Sequence, residues 1–500
     1  MKYLIKNGSI IDPARRVATV GNVLVADGKV VQLFELADMY AEREAVGDDV
    51  EIINARGCVV APGFTDLHTH LREPGEEHKE TIASGTLAAA RGGFTTVCAM
   101  PDTDPPNDRA AVARQVRQIA RREAHVHVEV IGALSMGREG RSLSEMQELV
   151  GAGVIAFGDG RPIENPLIMR NGLAYAGALG VPVMAHCEDP RLNAGWAMHE
   201  GVTSTRLGLP GYPAAAEESI IARDITLVEG SDAHLHICHV STAGGVELIR
   251  AAKLRGVRVT AEVTPHHLTL TERWVLGALA RSPSADPQAD TQPQVRLASR
   301  RKRNHNPELG LPSWLNPALL PPYDPSTRLN PPLRTDEDLA ALIEGLRDGT
   351  IDAIATDHTP QALVDKACEY GLAEPGISSL ETTLGLVLTL VHRGELDLVN
   401  MVAKLTEGPA GVLGRSPATL RPGARADIVI FDPDRLWMVD SASFISRGRS
   451  SPLQNQQLKG QVMLTMAAGR IVFRRDNFGK SSSSPSPQHS RLEGILFEEE

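Results

Sequence analysis

The chain has 500 residues, 42% of them hydrophobic and 4% aromatic, and a formal net charge of −11. This size suits a large barrel with an accessory module, and the acidic, ring-poor composition argues against nucleic-acid binding. The N-terminus lacks an apolar signal core, no run approaches membrane-spanning length, and the five cysteines match no Cys-x-x-Cys spacing. We therefore expect a soluble cytoplasmic protein with free thiols and no membrane contact.

The two ends of the chain have similar patterns. Residues 1–61 alternate short β-rich runs with glycine turns, and residues 411–478 do the same. Such runs between turn residues indicate short strands. Because neither end can bury much apolar surface alone, we expect both to form one small β-sandwich domain.

The middle of the chain, residues 62–410, alternates strand-like and helix-like segments. The predicted strands are residues 64–68, 95–100, 126–131, 154–158, 183–186, 235–239, 257–263 and 351–356. Helical patterns lie between most of them, among them residues 80–91, 110–122, 143–150, 167–179 and 243–254. Eight β/α alternations predict an α/β fold, a (β/α)8 barrel of the TIM type, with its chemistry at the C-terminal strand ends.

Two segments do not fit this plan. Residues 278–322 are rich in Pro, Ser and Arg and interrupt the path from the seventh to the eighth strand. We interpret them as a solvated loop, with a lid or a subunit contact as the functional alternative. Residues 479–500 have the composition of a disordered tail.

Histidines and aspartates stand at five of the predicted strand ends. His68 and His70 are two residues apart after the first strand, so their side chains point to one face. The later strand ends carry Asp159, His186, His239 and Asp357. Imidazoles with carboxylates are zinc-type ligands, and six suffice for one or two Zn²⁺ ions with open positions. Four other histidines do not complete this set and are assigned structural roles: His234, His236, His266 and His267.

Several motifs resemble the dihydroorotase family of the amidohydrolase superfamily, in the bacterial class that uses an aspartate where relatives use a carboxylated lysine. They are residues 66–75, 92–97, 99–103, 185–189, 239–242, 261–267, 330–334 and 355–360. The resemblance implies metal-ligand roles for His68, His70, Asp159, His186, His239 and Asp357. Asp357 would also be catalytic, as the group that takes and returns a proton. No lysine lies near Asp159, in contrast to the hydantoinase pattern.

The resemblance also implies a substrate-binding set, in which three positions depart from the family. The set comprises Arg72, Asp102, Asn330, Gln361, Pro375 and Gly376. The family has asparagine at position 102, histidine at 361 and phenylalanine at 375. An ionised Asp102 would repel a substrate carboxylate or pair with Arg72, and Gln361 can donate a hydrogen bond but carries no charge.

Three functions follow from these observations. The first is a zinc-dependent dihydroorotase that interconverts L-dihydroorotate and N-carbamoyl-L-aspartate in pyrimidine biosynthesis. The second is a hydrolase of another small cyclic amide or ureide, similar to a hydantoinase or allantoinase. The third is a weakly active partner of aspartate carbamoyltransferase, against which the complete ligand set counts. A homo-oligomer is expected in each case.

Overall fold

The computed structural model describes residues 1–35, 50–281, 314–476 and 478–479. Most of the predicted insertion 278–322, and all of the predicted tail except residue 479, lie outside these ranges. No helix within them is long and apolar enough to cross a membrane.

Eighteen strands and eleven α-helices are present in the described residues. Strands β1–β18 are Lys2–Asp12, Val17–Ala26, Lys29–Glu35, Glu51–Asn54, Val59–Pro62, Phe64–Thr69, Phe94–Ala99, His127–Gly132, Val154–Phe157, Val183–Ala185, Met198–His199, Gly211–Tyr212, Leu235–Ile237, Val259–Val263, Ala353–Ile354, Ile428–Met438, Gln457–Ala467 and Arg470–Arg474. Helices α1–α11 are Ile82–Arg91, Ala110–Glu123, Met146–Gly151, Pro166–Leu179, Val202–Leu207, Ala214–Val228, Ala243–Leu254, Asp336–Arg347, Leu363–Lys366, Thr383–His392 and Leu398–Val412.

The central sheet is parallel and has eight strands in the order β6-β7-β8-β9-β10-β13-β14-β15. They correspond to the eight predicted strands, each end within two residues of the prediction. Core-facing helices cover the sheet, and several of them begin after a residue whose side chain accepts a hydrogen bond from the first turn. Thr81, for example, accepts from Ser84 N to cap α1, which explains why that helix begins at Ile82 and not at residue 80. The (β/α)8 prediction is confirmed.

The first and last barrel strands are joined through side chains. Thr356 donates to Asp66 from its backbone N (2.7 Å) and from Oγ1 (2.6 Å). Further along both segments, toward their C-terminal ends, the backbone N of His70 donates to the carbonyl of His358 at 2.9 Å. Asp66 is fully buried, so these bonds replace the solvation its carboxylate loses. They bring the C-terminal end of β6, which carries two of the histidines, beside Asp357.

The two chain ends form one mixed sheet, in the order β18-β17-β16-β5-β1-β2-β3, with β4 beside β1. The ends join where β16 runs antiparallel to β5, with Val429 opposite Ala61. Ile5 and Val60 from one end share a buried cluster with Ile428 and Leu464 from the other. The predicted pairing of the two ends is therefore confirmed.

Candidate active site

Two histidines at the end of β6 are each held by a buried carboxylate. His68 Nδ1 donates to Glu262 Oε1 at 3.0 Å, and His70 Nδ1 donates to Asp102 Oδ2 at 2.6 Å. In metal sites a ligating histidine commonly donates its second N–H to a carboxylate, which fixes the ring and its tautomer. The Nε2 atoms of both rings are thus left for a ligand, and each lies 3.8 Å from Asp357 Oδ1.

Both supporting carboxylates are ionised in this environment. Burial opposes the charge on Glu262, but hydrogen bonds from His236 and His68 outweigh it and lower its pKa to about 2. Burial likewise opposes the charge on Asp102, but the neighbouring charges of His70 and Arg72 hold its pKa well below the ordinary value. Each carboxylate therefore acts as a charged acceptor.

Asp357 follows β15 in a left-handed backbone conformation, with φ of 46°. Its Oδ1 accepts from Thr359 Oγ1 at 3.1 Å. His239 and Arg72 also have positive φ, 35° and 63°. Non-glycine residues in this region are strained, and such strain persists where surrounding contacts fix a functional geometry.

The donor atoms of His68, His70 and Asp357 lie within 4.8 Å of one another and fit a metal ion. Zinc with ligands at about 2.0–2.1 Å places neighbouring tetrahedral donors roughly 3.3 Å apart. The observed separations of 3.8 Å need only a small side-chain adjustment to reach that spacing. Two imidazoles and a carboxylate oxygen are also the donors that zinc accepts.

A second donor group, His68 with Cys238 and Glu262, is a poorer metal site. Burial, followed by the charge of Glu262, raises the pKa of the Cys238 thiol well above its ordinary value. The sulfur stays protonated, whereas the thiolate is the form that binds metals. Glu262 is also engaged by two histidines, so it supports the site instead of coordinating an ion.

His186 and His239 adjoin the first two histidines. His186 Nδ1 lies 3.0 Å from His239 Nε2, and the ring centroids of His239 and His68 are 5.1 Å apart. Burial, with the charges of His186 and His68, pushes the pKa of His239 well below its ordinary value. Its ring is therefore neutral, as a metal ligand must be. His186 Nε2 donates to Glu188 Oε2 at 2.6 Å, which fixes that ring as well.

The carboxylate of Asp159 faces the loop after β8. Oδ1 accepts from the backbone N of Ser135 at 3.0 Å, and Oδ2 accepts from Ser135 Oγ at 2.5 Å. Asp159 is buried next to the histidine cluster, yet its oxygens are not part of the compact group formed by His68, His70 and Asp357. Its predicted role as a ligand stays a prediction.

The substrate-binding residues expected near the metal are mostly bound to one another. Arg72 Nη1 donates to Asp102 Oδ2 at 2.5 Å and to Glu76 Oε2 at 3.2 Å. The structure thus contains the Arg72–Asp102 pair that the sequence offered as one alternative. It adds the contact of the same Asp102 oxygen with His70, which the sequence did not predict.

The other members of the set occupy two further positions. Asn330 Nδ2 donates to Glu188 Oε2 at 2.9 Å and so lies beside His186. Gln361 Nε2 donates to the carbonyl of Pro375 at 2.7 Å, which joins the two loops that follow β15. Gly376 has φ of 119°, and a Cβ there would lie 2.6 Å from the Thr359 side chain, so only glycine fits. The buried Oδ1 of Asn330 and Oε1 of Gln361 have no hydrogen-bond partner in the described part of the chain.

Three supporting residues were not identified from the sequence: Glu262, Glu188 and Ser135. Glu262 had a visible signal, since it is a charged residue inside an apolar strand. Glu188 stands two residues after His186, within a motif that carried the resemblance. Ser135 had none, because its contact with Asp159 depends on the path of a loop 24 residues away.

Together, a parallel eight-stranded barrel, histidines and an aspartate at its C-terminal strand ends, and a sheet built from both chain ends define an amidohydrolase-type protein. L-Hydantoinase from Arthrobacter aurescens shares this fold with a TM-score of 0.76 and 24% identity, over 96% of each chain. The family model described as Dihydro-orotase-like matches residues 57–244.

Closer relatives are found by sequence. A dihydroorotase of Syntrophus aciditrophicus is 43% identical over 477 residues, which cover 95% of this chain and 100% of the relative. A dihydroorotase of Pelotomaculum thermopropionicum is 46% identical over 475 residues, 95% of this chain and 99% of the relative. The chain belongs to the dihydroorotase family.

Proposed function

We propose that this chain is a zinc-dependent dihydroorotase that interconverts L-dihydroorotate and N-carbamoyl-L-aspartate, a cytoplasmic reaction of pyrimidine biosynthesis. One observation carries the proposal. Asp357 Oδ1 lies 3.8 Å from Nε2 of both His68 and His70, whose Nδ1 atoms are held by ionised carboxylates. This arrangement directs the Nε2 atoms of two imidazoles toward an ion and places a proton acceptor beside it.

His68, His70 and Asp357 would hold one zinc ion, and His186 and His239 would supply further donors. When bound, zinc provides an acidified water as nucleophile and polarises the carbonyl that is attacked. The family resemblance implies that Asp159 replaces the carboxylated lysine that bridges two ions in relatives. To do so, its carboxylate would have to use lone pairs that Ser135 leaves free, or turn away from Ser135. Metal analysis of the purified protein distinguishes one ion per chain from two.

Asp357 is the residue proposed to move the proton. In the ring-opening direction the oxygen of water bonds to the ring carbonyl carbon, and the ring C–N bond breaks. The proton lost by the water passes to the Asp357 carboxylate and from there to the leaving nitrogen. In the reverse direction Asp357 takes the proton from the attacking nitrogen and returns it as water leaves. Thr359 keeps the Asp357 oxygen in place for both transfers.

A second candidate is a hydrolase of a less anionic ring, such as hydantoin or allantoin. The contact of Arg72 with Asp102 favours it, because a paired arginine attracts a substrate carboxylate less strongly than a free one. Homo-oligomer formation and association with aspartate carbamoyltransferase are further predictions from the family resemblance. Gel filtration of the chain alone and with that enzyme tests both.

The function is tested with zinc-loaded protein and four substrates: dihydroorotate, N-carbamoyl-L-aspartate, hydantoin and allantoin. We expect turnover of the first two, and Asp357→Asn should lower kcat about 10²- to 10⁴-fold, the range of general acid–base catalysis. Asp434→Asn is the matched control, since that aspartate pairs with Lys459 in the sheet of the chain ends. Zinc binding without turnover of either dihydroorotate or carbamoyl-aspartate would refute the proposal.

A further inference from the structure

Arg138 lies on the loop after β8, at the C-terminal end of the barrel where the histidines gather. Gly137 and Arg138 both have left-handed backbone conformations, with φ of 62° and 58°. Two hydrogen bonds hold the loop in place. Gly137 N donates to Asp108 Oδ2 at 2.7 Å, and Gly140 N donates to Ser135 Oγ at 2.8 Å. These contacts fix the position from which the Arg138 side chain starts.

The guanidinium of Arg138 and the ring of His70 both lie next to Gly160. Arg138 Nε donates to the carbonyl of Asp159 at 2.6 Å, which orients the planar group. A Cβ placed on Gly160 would lie 3.6 Å from Met100 Cε, 3.7 Å from Arg138 Nη2 and 3.9 Å from His70 Cε1, which is ordinary van der Waals contact with all three. Because residue 160 is glycine, no side chain from this position stands between the guanidinium and the histidine.

Arg138 and Arg72 differ in what their terminal nitrogens contact. Arg72 Nη1 is bound to two carboxylates, those of Asp102 and Glu76. Within the described ranges, Arg138 forms no ion pair with a carboxylate, and its Nη1 and Nη2 donate to no protein acceptor. The residue is only partly buried, and neither of its Nη atoms is a fully buried atom without a partner, so both are accessible to a ligand.

We propose that Arg138 binds the substrate carboxylate in this chain, the role that the family resemblance implies for Arg72. The proposal rests on the proposed function, since it takes N-carbamoyl-L-aspartate or dihydroorotate as the ligand. A guanidinium held through Nε presents its Nη groups to a carboxylate with good geometry. Arg72 is then free to act with Asp102 as a support for His70.

Two substitutions on one loop test this. Arg138→Gln removes the guanidinium, while Arg141→Gln is the matched control, because Arg141 is exposed and forms an ion pair with the exposed Glu139 at 3.5 Å. Binding of N-carbamoyl-L-aspartate to zinc-loaded protein is measured by calorimetry, KM and kcat are measured in both directions, and zinc content is measured for each variant.

We expect Arg138→Gln to raise Kd and KM about 10- to 100-fold, the loss of a charge-assisted contact, with kcat changed less than about threefold and zinc content unchanged. The Kd and KM of Arg138→Lys should lie between those of the wild type and those of Arg138→Gln. The Kd and KM of Arg141→Gln should match those of the wild type. Asp102→Asn added to Arg138→Gln should restore part of the affinity, because it frees Arg72 for the carboxylate.

The remaining outcomes separate this proposal from the function. Turnover of dihydroorotate with Kd and KM unaffected by Arg138→Gln overturns the role of Arg138 and leaves the function intact. Binding of carbamoyl-aspartate without turnover overturns the function, while the Kd of Arg138→Gln still decides the role of Arg138. A wild-type protein that does not bind carbamoyl-aspartate overturns both.

Discussion

Asp102 Oδ2 lies 2.5 Å from Arg72 Nη1 and also accepts from Nδ1 of His70 at 2.6 Å. One carboxylate oxygen thus links a candidate metal ligand to the arginine that the family resemblance assigns to the substrate. The second oxygen of Asp102, Oδ1, is buried and has no partner in the described residues. An asparagine at this position would carry no charge. The aspartate therefore places a negative charge beside both His70, the candidate metal ligand, and Arg72, the arginine assigned to the substrate.

The first prediction concerns Asp102→Asn. The substitution removes the ionised acceptor from His70, and we expect zinc affinity to fall about 10- to 100-fold, as for other outer carboxylates of metal-bound histidines. It also releases Arg72, so KM for carbamoyl-aspartate should fall when zinc is saturating. A chelator competition measures the first effect and steady-state kinetics the second. If neither quantity changes, the oxygen shared by His70 and Arg72 has no functional consequence.

The second prediction concerns Glu262, which accepts from His68 Nδ1 at 3.0 Å and from His236 Nε2 at 3.1 Å. In Glu262→Gln the amide oxygen can still accept from one histidine, but the NH₂ group then faces a second donor. His68 loses its fixed tautomer, and zinc affinity should fall about 10- to 100-fold.

The control for Glu262 is Glu129→Gln. Glu129 is only partly buried and pairs with Arg415 at the surface, a contact worth less than about 1 kcal/mol. Zinc affinity should not change in this variant. Equal losses of zinc affinity in the two variants would point to a general effect of removing a charge, against a specific role for Glu262.

The third prediction is a pH dependence of stability centred on His199. Burial, and then the charge of Arg334, lower the pKa of His199 from 6.5 to about 4. Its Nδ1 accepts from Arg334 Nη1 at 3.1 Å, so the folded state requires the neutral ring. Between pH 6.5 and pH 4 the unfolded chain binds the proton more readily, and this contribution to stability is lost as the pH falls.

From pH 7 to pH 5 the loss attributable to His199 should be on the order of 2 kcal/mol. His199→Asn keeps an acceptor for Arg334 but does not titrate in this range, so its free energy of unfolding should fall less over the same interval. Urea denaturation at both pH values measures the difference, with the exposed His78→Asn as control. A wild-type-like pH response in His199→Asn would contradict the assignment.

The sequence predicted the barrel and the histidine cluster because both depend on short-range patterns. Eight apolar runs set the strands, and polar residues at their ends, such as His68 and Asp357, are brought together by the closure of the barrel. The contact between Asp102 and His70 could not be predicted in this way. It depends on how far the chain continues beyond β7 before it turns back toward β6.

The orientation of Asp159 illustrates the same limit. Its position after β9 follows from the strand pattern, but the direction of its carboxylate is set by Ser135 on a neighbouring loop. Glu262 is a similar case, since a buried charge in a strand is stable only where two histidines from other strands reach it. Hydrogen bonds between loops and strands that are distant in sequence leave no periodic signal.

The last prediction concerns the bond that closes the barrel. Thr356→Val removes the hydroxyl that donates to Asp66 at 2.6 Å and keeps the shape of the side chain. The fully buried Asp66 carboxylate then accepts one hydrogen bond fewer. This loss should lower the free energy of unfolding by about 1–3 kcal/mol. Because Asp357 follows Thr356 directly in the chain, the distances from its carboxylate to the Nε2 atoms of His68 and His70 should also change. We expect kcat to fall at least about tenfold.

Thr389→Val is the matched control for Thr356→Val. Thr389 is equally buried, and its hydroxyl donates to the carbonyl of Gly385 at 3.1 Å within α10, away from the histidines. The Thr389→Val substitution should lower the free energy of unfolding and leave kcat unchanged. The comparison therefore separates loss of folding free energy from displacement of Asp357. If kcat falls to the same degree in both variants, or in neither, the bond between Asp66 and Thr356 does not position Asp357, the aspartate proposed to be catalytic.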